Sequence, residues 1–185
     1  IAVGACTNVA LAIKADPDFA SKTAGIYYMG GAIDVPGNIT HCAEVNWYYD
    51  AESVDICLNA DWPLQVVVPN DISYYQRLTK DKVENIVNGG DTPFNKIIEE
   101  FAYPSFVENP DRSQKLWDAQ VPGIFFCPDL ITVTDVRDVA IETSHCYAYG
   151  ESVTWKEGAG PDNSATCTIV YDLDGEKYWQ MVADL

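Results

Sequence analysis

Basic residues are scarce in this sequence. The 185 residues include 11 lysines and arginines against 28 aspartates and glutamates, which gives a net charge of −17 and a pI near 4.1. A surface of this sign repels nucleic-acid backbones and anionic lipid headgroups. We therefore predict no nucleic-acid partner and no membrane partner. The acidic excess can mark a cation site, although solubility alone also explains it.

Several common sequence signals are absent. No apolar run approaches the ~20 residues of a membrane span, and no basic-then-apolar signal peptide stands at the start. Only two histidines occur, His41 and His145, and no Cys-x-x-Cys pair, a combination that disfavours a structural zinc site. Phosphate-loop, G-x-S-x-G and H-E-x-x-H motifs are missing as well. Function has to be inferred from scattered polar residues.

Six cysteines leave two alternatives open. An even number permits three disulfides in an oxidising compartment, whereas free thiols are common core residues in a reducing one. We favour the first alternative and expect a secreted, extracellular protein with disulfides. A cytoplasmic protein is the other reading.

Strands and helices alternate through the first two-thirds of the chain. Leu64 to Val68 is an apolar run interrupted only by Gln65, typical of a strand buried on both faces of a parallel sheet. Asp50 and Thr92 precede apolar residues at helical spacing and read as helix caps. We predict one domain over residues 1–185, an α/β fold with a mostly parallel sheet flanked by helices.

Two later segments carry specific expectations. We assign one apolar stripe at helical spacing to the core: Phe94, Ile97, Ile98 and Phe101. Leu116 to Phe126 predicts a helix, which Pro122 should kink.

The chain opens directly on the apolar run IAVGAC, which reads as a strand. A parallel sheet needs strands on both sides of such an element, and an unpaired sheet edge is a liability. We therefore expect this chain to be the C-terminal portion of a larger fold, without the N-terminal strands of that fold.

Polar residues cluster where strands end. Asn38, Glu44 and Asn46 lie in one loop beyond the strand that ends at Met29, the kind of place where α/β sheets bind ligands. A carboxylate beside amides suits the hydroxyl groups of a sugar. The structural alternative is that these side chains tie down their own glycine- and proline-containing loop. Trp117 beside Asp118 offers an aromatic platform next to a metal ligand, or simply a half-buried tryptophan at a helix start.

Five ordered segments resemble the inosine–uridine-preferring nucleoside hydrolase family, which shows G-P-L-T-N, M-G-G, G-N-x-T, A-E-x-N and D-P-E-A in this order. They correspond here to Gly4–Asn8, Met29–Gly31, Gly37–Thr40, Ala43–Asn46 and Asp50–Ser53. Leu116–Ala119 is similar to the helix that supplies the family's last metal-binding aspartate. The resemblance is strong over residues 1–72 and sparse after residue 120.

This resemblance implies Ca²⁺-dependent hydrolysis of the N-glycosidic bond of a ribonucleoside. It implies that the Thr7 carbonyl and the Asp118 carboxylate are metal ligands, with Asp118 and Trp117 in catalytic roles. Asn38, Glu44 and Asn46 would hold the ribose hydroxyls, as a carboxylate-rich pocket suits an oxocarbenium-like transition state.

Tryptophan at position 117 and the absence of an N-terminal D-x-D-x-x-x-D-D motif refine these implications. Purine-preferring members can carry tryptophan before the metal aspartate, so the resemblance implies a purine nucleoside that stacks on Trp117. The missing aspartates imply a companion N-terminal chain, as in a cleaved two-chain enzyme, and a homo-oligomer is also possible. The alternative is a catalytically inactive, secreted lectin-like or defence protein that binds sugars or nucleosides on the same scaffold.

Overall fold

The computed structural model of the chain describes residues 1–185. A five-stranded mixed sheet has the order β1-β2-β7-β5-β6, and β3 and β4 form a separate antiparallel pair. The strands are β1 Ile26–Met29, β2 Gln65–Val68, β3 Arg77–Leu78, β4 Gln114–Lys115, β5 Ile131–Ile141, β6 Ser152–Lys156 and β7 Ala165–Leu173. β1, β2 and β7 run parallel, whereas β5 is antiparallel to both of its neighbours. The predicted α/β fold is confirmed, with a mixed sheet.

Nine α-helices surround the sheet, none of them long and apolar enough to serve as a membrane span. Their bounds are α1 Thr7–Ala15, α2 Val45–Tyr48, α3 Ala51–Leu58, α4 Ile72–Tyr75, α5 Lys80–Gly89, α6 Pro93–Ile97, α7 Tyr103–Glu108, α8 Gln120–Phe126 and α9 Gly175–Ala183. A π-helix, Ile98–Ala102, joins α6 to α7, and a 3₁₀ turn, Pro128–Leu130, precedes β5.

Buried side chains form two cores, one on each face of the sheet. Alternation along β2 divides them, because Val66 and Val68 enter one core and Val67 enters the other. The first core adds residues of α5, α8 and α9, and the second adds residues of α1 and α3. All four residues of β2 are buried, Gln65 included, as its largely apolar run predicts.

Two predicted helix caps are confirmed. The Asp50 carboxylate accepts the backbone N–H of Ser53 at 3.1 Å and begins α3. Thr92 and Asn95 form a reciprocal capping box at the start of α6, with Pro93 in the first turn. These local signals depend only on neighbouring residues.

Three expectations about secondary structure need correction. The opening run forms a single parallel bridge, from Ala2 to Tyr28, in place of a strand. The helix predicted from Leu116 begins at Gln120, and Pro122 lies in its first turn, where no intrahelical N–H bond is lost. In the stripe assigned to the core, Ile97 and Phe101 are 55% and 75% exposed.

The cysteines are unpaired in the structure. All six are free thiols: Cys6, Cys57 and Cys167 are buried, Cys42 and Cys127 are partly buried, and Cys146 is exposed. The predicted disulfides are therefore not confirmed by the structure.

Candidate active site

The turn that follows β1 lies against the indole ring of Trp47. A Cβ at Gly30 would collide with that ring, and Gly31 has a φ of +81°, a conformation that favours glycine. The Met29–Gly31 turn is thus a close backbone approach that only glycine permits. It places the end of β1 directly beside α2.

Glu44 is fully buried under this turn and begins α2. Its carboxylate accepts backbone N–H groups from Gly31 at 3.2 Å, Asn46 at 3.0 Å and Trp47 at 3.2 Å. Two of these donors belong to the first turn of α2, whose N–H groups have no intrahelical acceptor. One carboxylate therefore connects the end of β1 to the start of α2.

Burial raises the pKa of the Glu44 carboxyl to about 6, because the charged form loses its hydration. The three backbone N–H bonds oppose this shift, and the nearby negative charge of Asp118 adds to it. Glu44 and Asp118 are 74 positions apart in the chain, yet the fold brings Asp118 within electrostatic range of Glu44.

Asn38 and Asn46 also bond within the loop. The Asn38 Oδ1 accepts the backbone N–H of Val45 at 2.8 Å. The Asn46 Nδ2 donates to the Met29 carbonyl at 3.2 Å and lies 3.0 Å from the Met29 sulfur. The three loop residues thus have the contacts that the structural alternative describes. Asn38 remains exposed and Asn46 is partly exposed, so both are available to a ligand.

Trp117 and Asp118 lie in a turn just before α8. Backbone N–H groups of Gln120 and Val121 donate to their carbonyls, at 3.2 and 3.3 Å. Trp117 is partly buried against the first core, whereas Asp118 is exposed. Partial desolvation raises the pKa of the Asp118 carboxyl, and a hydrogen bond from the Trp117 side chain opposes that shift.

Thr7, the first residue of α1, lies at a different contact. Its hydroxyl donates to the carboxylate of Asp50, which ties α1 to α3. Its hydroxyl is thus engaged in a helix–helix contact. The structure unites Glu44, Asn46 and the Met29–Gly31 turn directly and places Asp118 nearby, but it shows no contact between Thr7 and that group.

The residues present do not form a metal centre by themselves. No group of three or more histidine, cysteine, aspartate or glutamate side chains is arranged to hold a metal ion. Ca²⁺ takes six to eight oxygen ligands, roughly, and Thr7 with Asp118 supplies too few. The implied Ca²⁺ therefore does not fit this donor set alone.

Two buried residues that the sequence analysis passed over hold this turn and the residues that follow it. The Asp71 carboxylate accepts the backbone N–H groups of Ile33 at 2.9 Å and Asp34 at 2.7 Å, and burial raises its pKa. The Asn70 N–H donates to the Gly31 carbonyl at 2.8 Å. The available signal was their position, directly after the carboxyl end of a buried parallel strand.

Comparison with known proteins gives the same family across the chain. A family model described as inosine-uridine preferring nucleoside hydrolase matches residues 1–180. The pyrimidine-specific ribonucleoside hydrolase RihA of Shigella boydii is 28% identical over 191 aligned positions, which cover all of this chain and 59% of RihA. A rice protein (Oryza sativa subsp. japonica) named "Probable uridine nucleosidase 1" is 48% identical over 67 residues, 36% of this chain and 21% of that protein.

Solved structures share the fold. The plant nucleoside hydrolase PpNRh1 superimposes with a TM-score of 0.80 at 26% identity, over 98% of this chain and 60% of PpNRh1. An inosine-guanosine nucleoside hydrolase superimposes with a TM-score of 0.84 at 20% identity, over 98% of this chain and 59% of that chain, and shows the fold alone. The chain spans about three-fifths of the length of RihA and PpNRh1. It belongs to the inosine-uridine preferring nucleoside hydrolase family.

Proposed function

We propose that the protein hydrolyses the N-glycosidic bond of ribonucleosides. The observation that carries the proposal is the buried Glu44 carboxylate bonded to the Met29–Gly31 turn, within the electrostatic influence of Asp118, in a chain of this family. The reaction breaks the bond between the anomeric carbon and the base nitrogen. Water supplies the new C–O bond, and its proton leaves with the base.

The carboxylates suit the charge that develops in this reaction. The breaking bond leaves an oxocarbenium-like sugar, and nearby negative charge stabilises it. With a pKa of about 6, Glu44 is mostly ionised at pH 7, so its buried charge adds to that of Asp118. In this proposal Asn38 and Asn46 hold the ribose hydroxyls, and Glu44 fixes the backbone that carries Asn46.

We propose further that the active protein depends on Ca²⁺ and takes the remaining ligands from a companion N-terminal chain. Two observations support this proposal. No group of three or more metal-ligating side chains is assembled in this chain, and the chain covers 59–60% of its relatives RihA and PpNRh1. Thr7 and Asp118 would contribute one oxygen each. A homo-oligomer and a secreted location are parts of the same proposal.

A purine nucleoside is the proposed substrate because of Trp117. Its partly buried indole precedes Asp118, and base–aromatic stacking is worth about 1–3 kcal/mol in nucleic-acid complexes. The two sequence relatives above bear names that refer to uridine or pyrimidine substrates. Base preference therefore has to be measured on this protein.

Release of free base from inosine, adenosine and uridine tests these proposals. The assay uses the protein with and without a candidate N-terminal companion chain, first with Ca²⁺ and then with a chelator. We expect release that the chelator abolishes and that is faster for inosine than for uridine. Release that survives chelation would refute the metal proposal, and a faster reaction with uridine would refute the purine proposal.

One observation favours a second candidate, a binding protein without catalysis. Three backbone N–H bonds to the Glu44 carboxylate hold this loop in place, and Asn38 and Asn46 keep exposed surface that a sugar can contact. Such a protein would bind ribose or a nucleoside saturably and release no base with either Ca²⁺ or a companion chain. Calorimetric titration with inosine and ribose, run beside the base-release assay, distinguishes the two candidates.

A further inference from the structure

Two cysteines meet in the second core, where α1 packs against α3. Cys6 directly precedes α1 as its cap residue, and Cys57 belongs to the buried face of α3. The Cys57 Sγ lies 3.8 Å from the Cys6 carbonyl oxygen, and the Cys6 thiol is within hydrogen-bonding range of the same sulfur. Both residues are almost fully buried, with exposed fractions of 1% and 0%. The fold thus brings together two thiols that are 51 positions apart in the chain.

Packing alone does not account for a thiol at position 6. The family segment G-P-L-T-N has leucine where Cys6 stands, and the surrounding side chains are those of the apolar second core. A buried leucine removes more apolar surface from water than a cysteine does, so burial favours the larger residue. What the cysteine adds is a sulfur that can bond covalently to its neighbour, Cys57.

We propose that Cys6 and Cys57 form a disulfide bond when the chain folds in the presence of an oxidant. The oxidant is a small-molecule disulfide, and oxidised glutathione represents this class. The Sγ–Sγ bond forms as the S–S bond of the oxidant breaks, by way of a mixed disulfide. The two protons and two electrons that the protein thiols lose pass to the oxidant, which leaves as two free thiols.

Burial determines when this bond forms. The contact with the Cys6 side chain and the loss of hydration raise the pKa of the Cys57 thiol. Because the thiolate is the form that attacks a disulfide, exchange is slow once the core has closed around both sulfurs. The bond therefore forms during folding. Once formed, it resists reduction because a reductant has no access to either sulfur.

The bond closes a loop that contains one half of the candidate active site. Between residues 6 and 57 lie β1, the Met29–Gly31 turn and Glu44. A cross-link removes conformations from the unfolded chain, and the stabilisation grows with the length of the closed loop. The oxidised protein should therefore unfold at a higher temperature than the reduced protein. This effect does not depend on the proposed hydrolysis and is tested without an activity assay.

Peptide mapping tests the pairing directly. The protein is unfolded and reduced, refolded in a mixture of reduced and oxidised glutathione, and unfolded again in iodoacetamide, which blocks free thiols. Digestion without reductant then uses trypsin together with a glutamate-specific protease. Cleavage after Lys14, Glu52 and Arg77 leaves Cys6 and Cys57 on separate peptides that contain no other cysteine.

We expect mass spectrometry to find these two peptides joined by one disulfide, which a reductant separates. Alkylation of both Cys6 and Cys57 in the protein refolded with oxidised glutathione would overturn the proposal. A bond from either residue to Cys167, the other buried cysteine of the second core, would overturn the pairing. Refolding with reduced glutathione alone is the control, and both thiols should then be alkylated.

Matched alanine variants measure the effect on stability. The melting temperature of the oxidised wild type should exceed that of the reduced protein by about 10 °C, the scale for a loop of this length. Cys6→Ala and Cys57→Ala should lose this difference, whereas Cys167→Ala, at a buried cysteine outside the pair, should keep it. An undiminished difference in Cys6→Ala would overturn the proposal. Peptide mapping needs only the wild type, so it decides the pairing even where a variant does not fold.

Discussion

The two halves of the candidate site are built in opposite ways. Around Glu44 the chain is buried, and one carboxylate accepts three backbone N–H groups. Around Asp118 the chain is a turn with two backbone bonds and an exposed carboxylate. Few buried contacts mean low local stability. The comparison indicates a rigid Glu44 half and an adaptable Asp118 half.

The largest effect is expected from removing the Glu44 carboxylate. Glu44→Ala leaves three buried N–H groups without an acceptor, and we expect a loss of about 3–5 kcal/mol in the free energy of unfolding. In the active protein it should also lower turnover well over tenfold. Urea denaturation measures the stability loss. Glu108→Ala, at an exposed position, is the control, and an equal loss in both variants would contradict the account.

A smaller loss is expected from crowding the glycine turn in the same rigid half. A Cβ at Gly30 collides with the Trp47 ring, so Gly30→Ala should destabilise the protein by about 1–3 kcal/mol. Gly4, whose Cβ would meet nothing within 4 Å, provides the matched control in Gly4→Ala. Thermal unfolding of both variants checks this, and similar melting temperatures would show that the turn is loose.

The pH dependence of stability isolates the Glu44 carboxyl. Its pKa is raised from 4.5 to about 6, so the folded state holds this proton more tightly than the unfolded state. The protonated Glu44 carboxyl therefore contributes fully to the free energy of unfolding below pH 4.5, and this contribution is lost as the pH rises through about 6. Over that window the wild type should lose about 2 kcal/mol relative to Glu44→Gln. Parallel curves for the two proteins would refute the raised pKa.

The smallest effect concerns the adaptable half. If Trp117 stacks on the base, Trp117→Ala should reduce kcat/KM for inosine about tenfold more than for uridine, in line with the modest value of stacking. Trp155→Ala, on β6, controls for the loss of any tryptophan. Equal losses with both nucleosides would remove Trp117 from base recognition.

Sequence alone predicted those features that depend on neighbouring residues. Asp50 and Thr92 cap helices through residues three positions away, and the apolar run of β2 fixes its burial within one segment. The start of α8, the exposure of Phe101 and the antiparallel placement of β5 depend on distant packing, which periodicity does not encode. The same distinction between local and distant contacts applies to the candidate site. The contact of Asn38 within its own loop was predicted as an alternative. The contacts of Asn70 and Asp71 join distant parts of the chain and were not predicted.

The most direct test of the central claim is inosine hydrolysis by Asp118→Asn. The assay uses protein that shows Ca²⁺-supported base release, and Asp162→Asn, an exposed aspartate in a turn, is the matched control. The account predicts a fall in kcat of at least about a hundredfold for Asp118→Asn, the scale of losing one electrostatic contact to a transition state. Asp162→Asn should keep full activity. Equal activity of both variants would contradict the assignment of Asp118 to the active site.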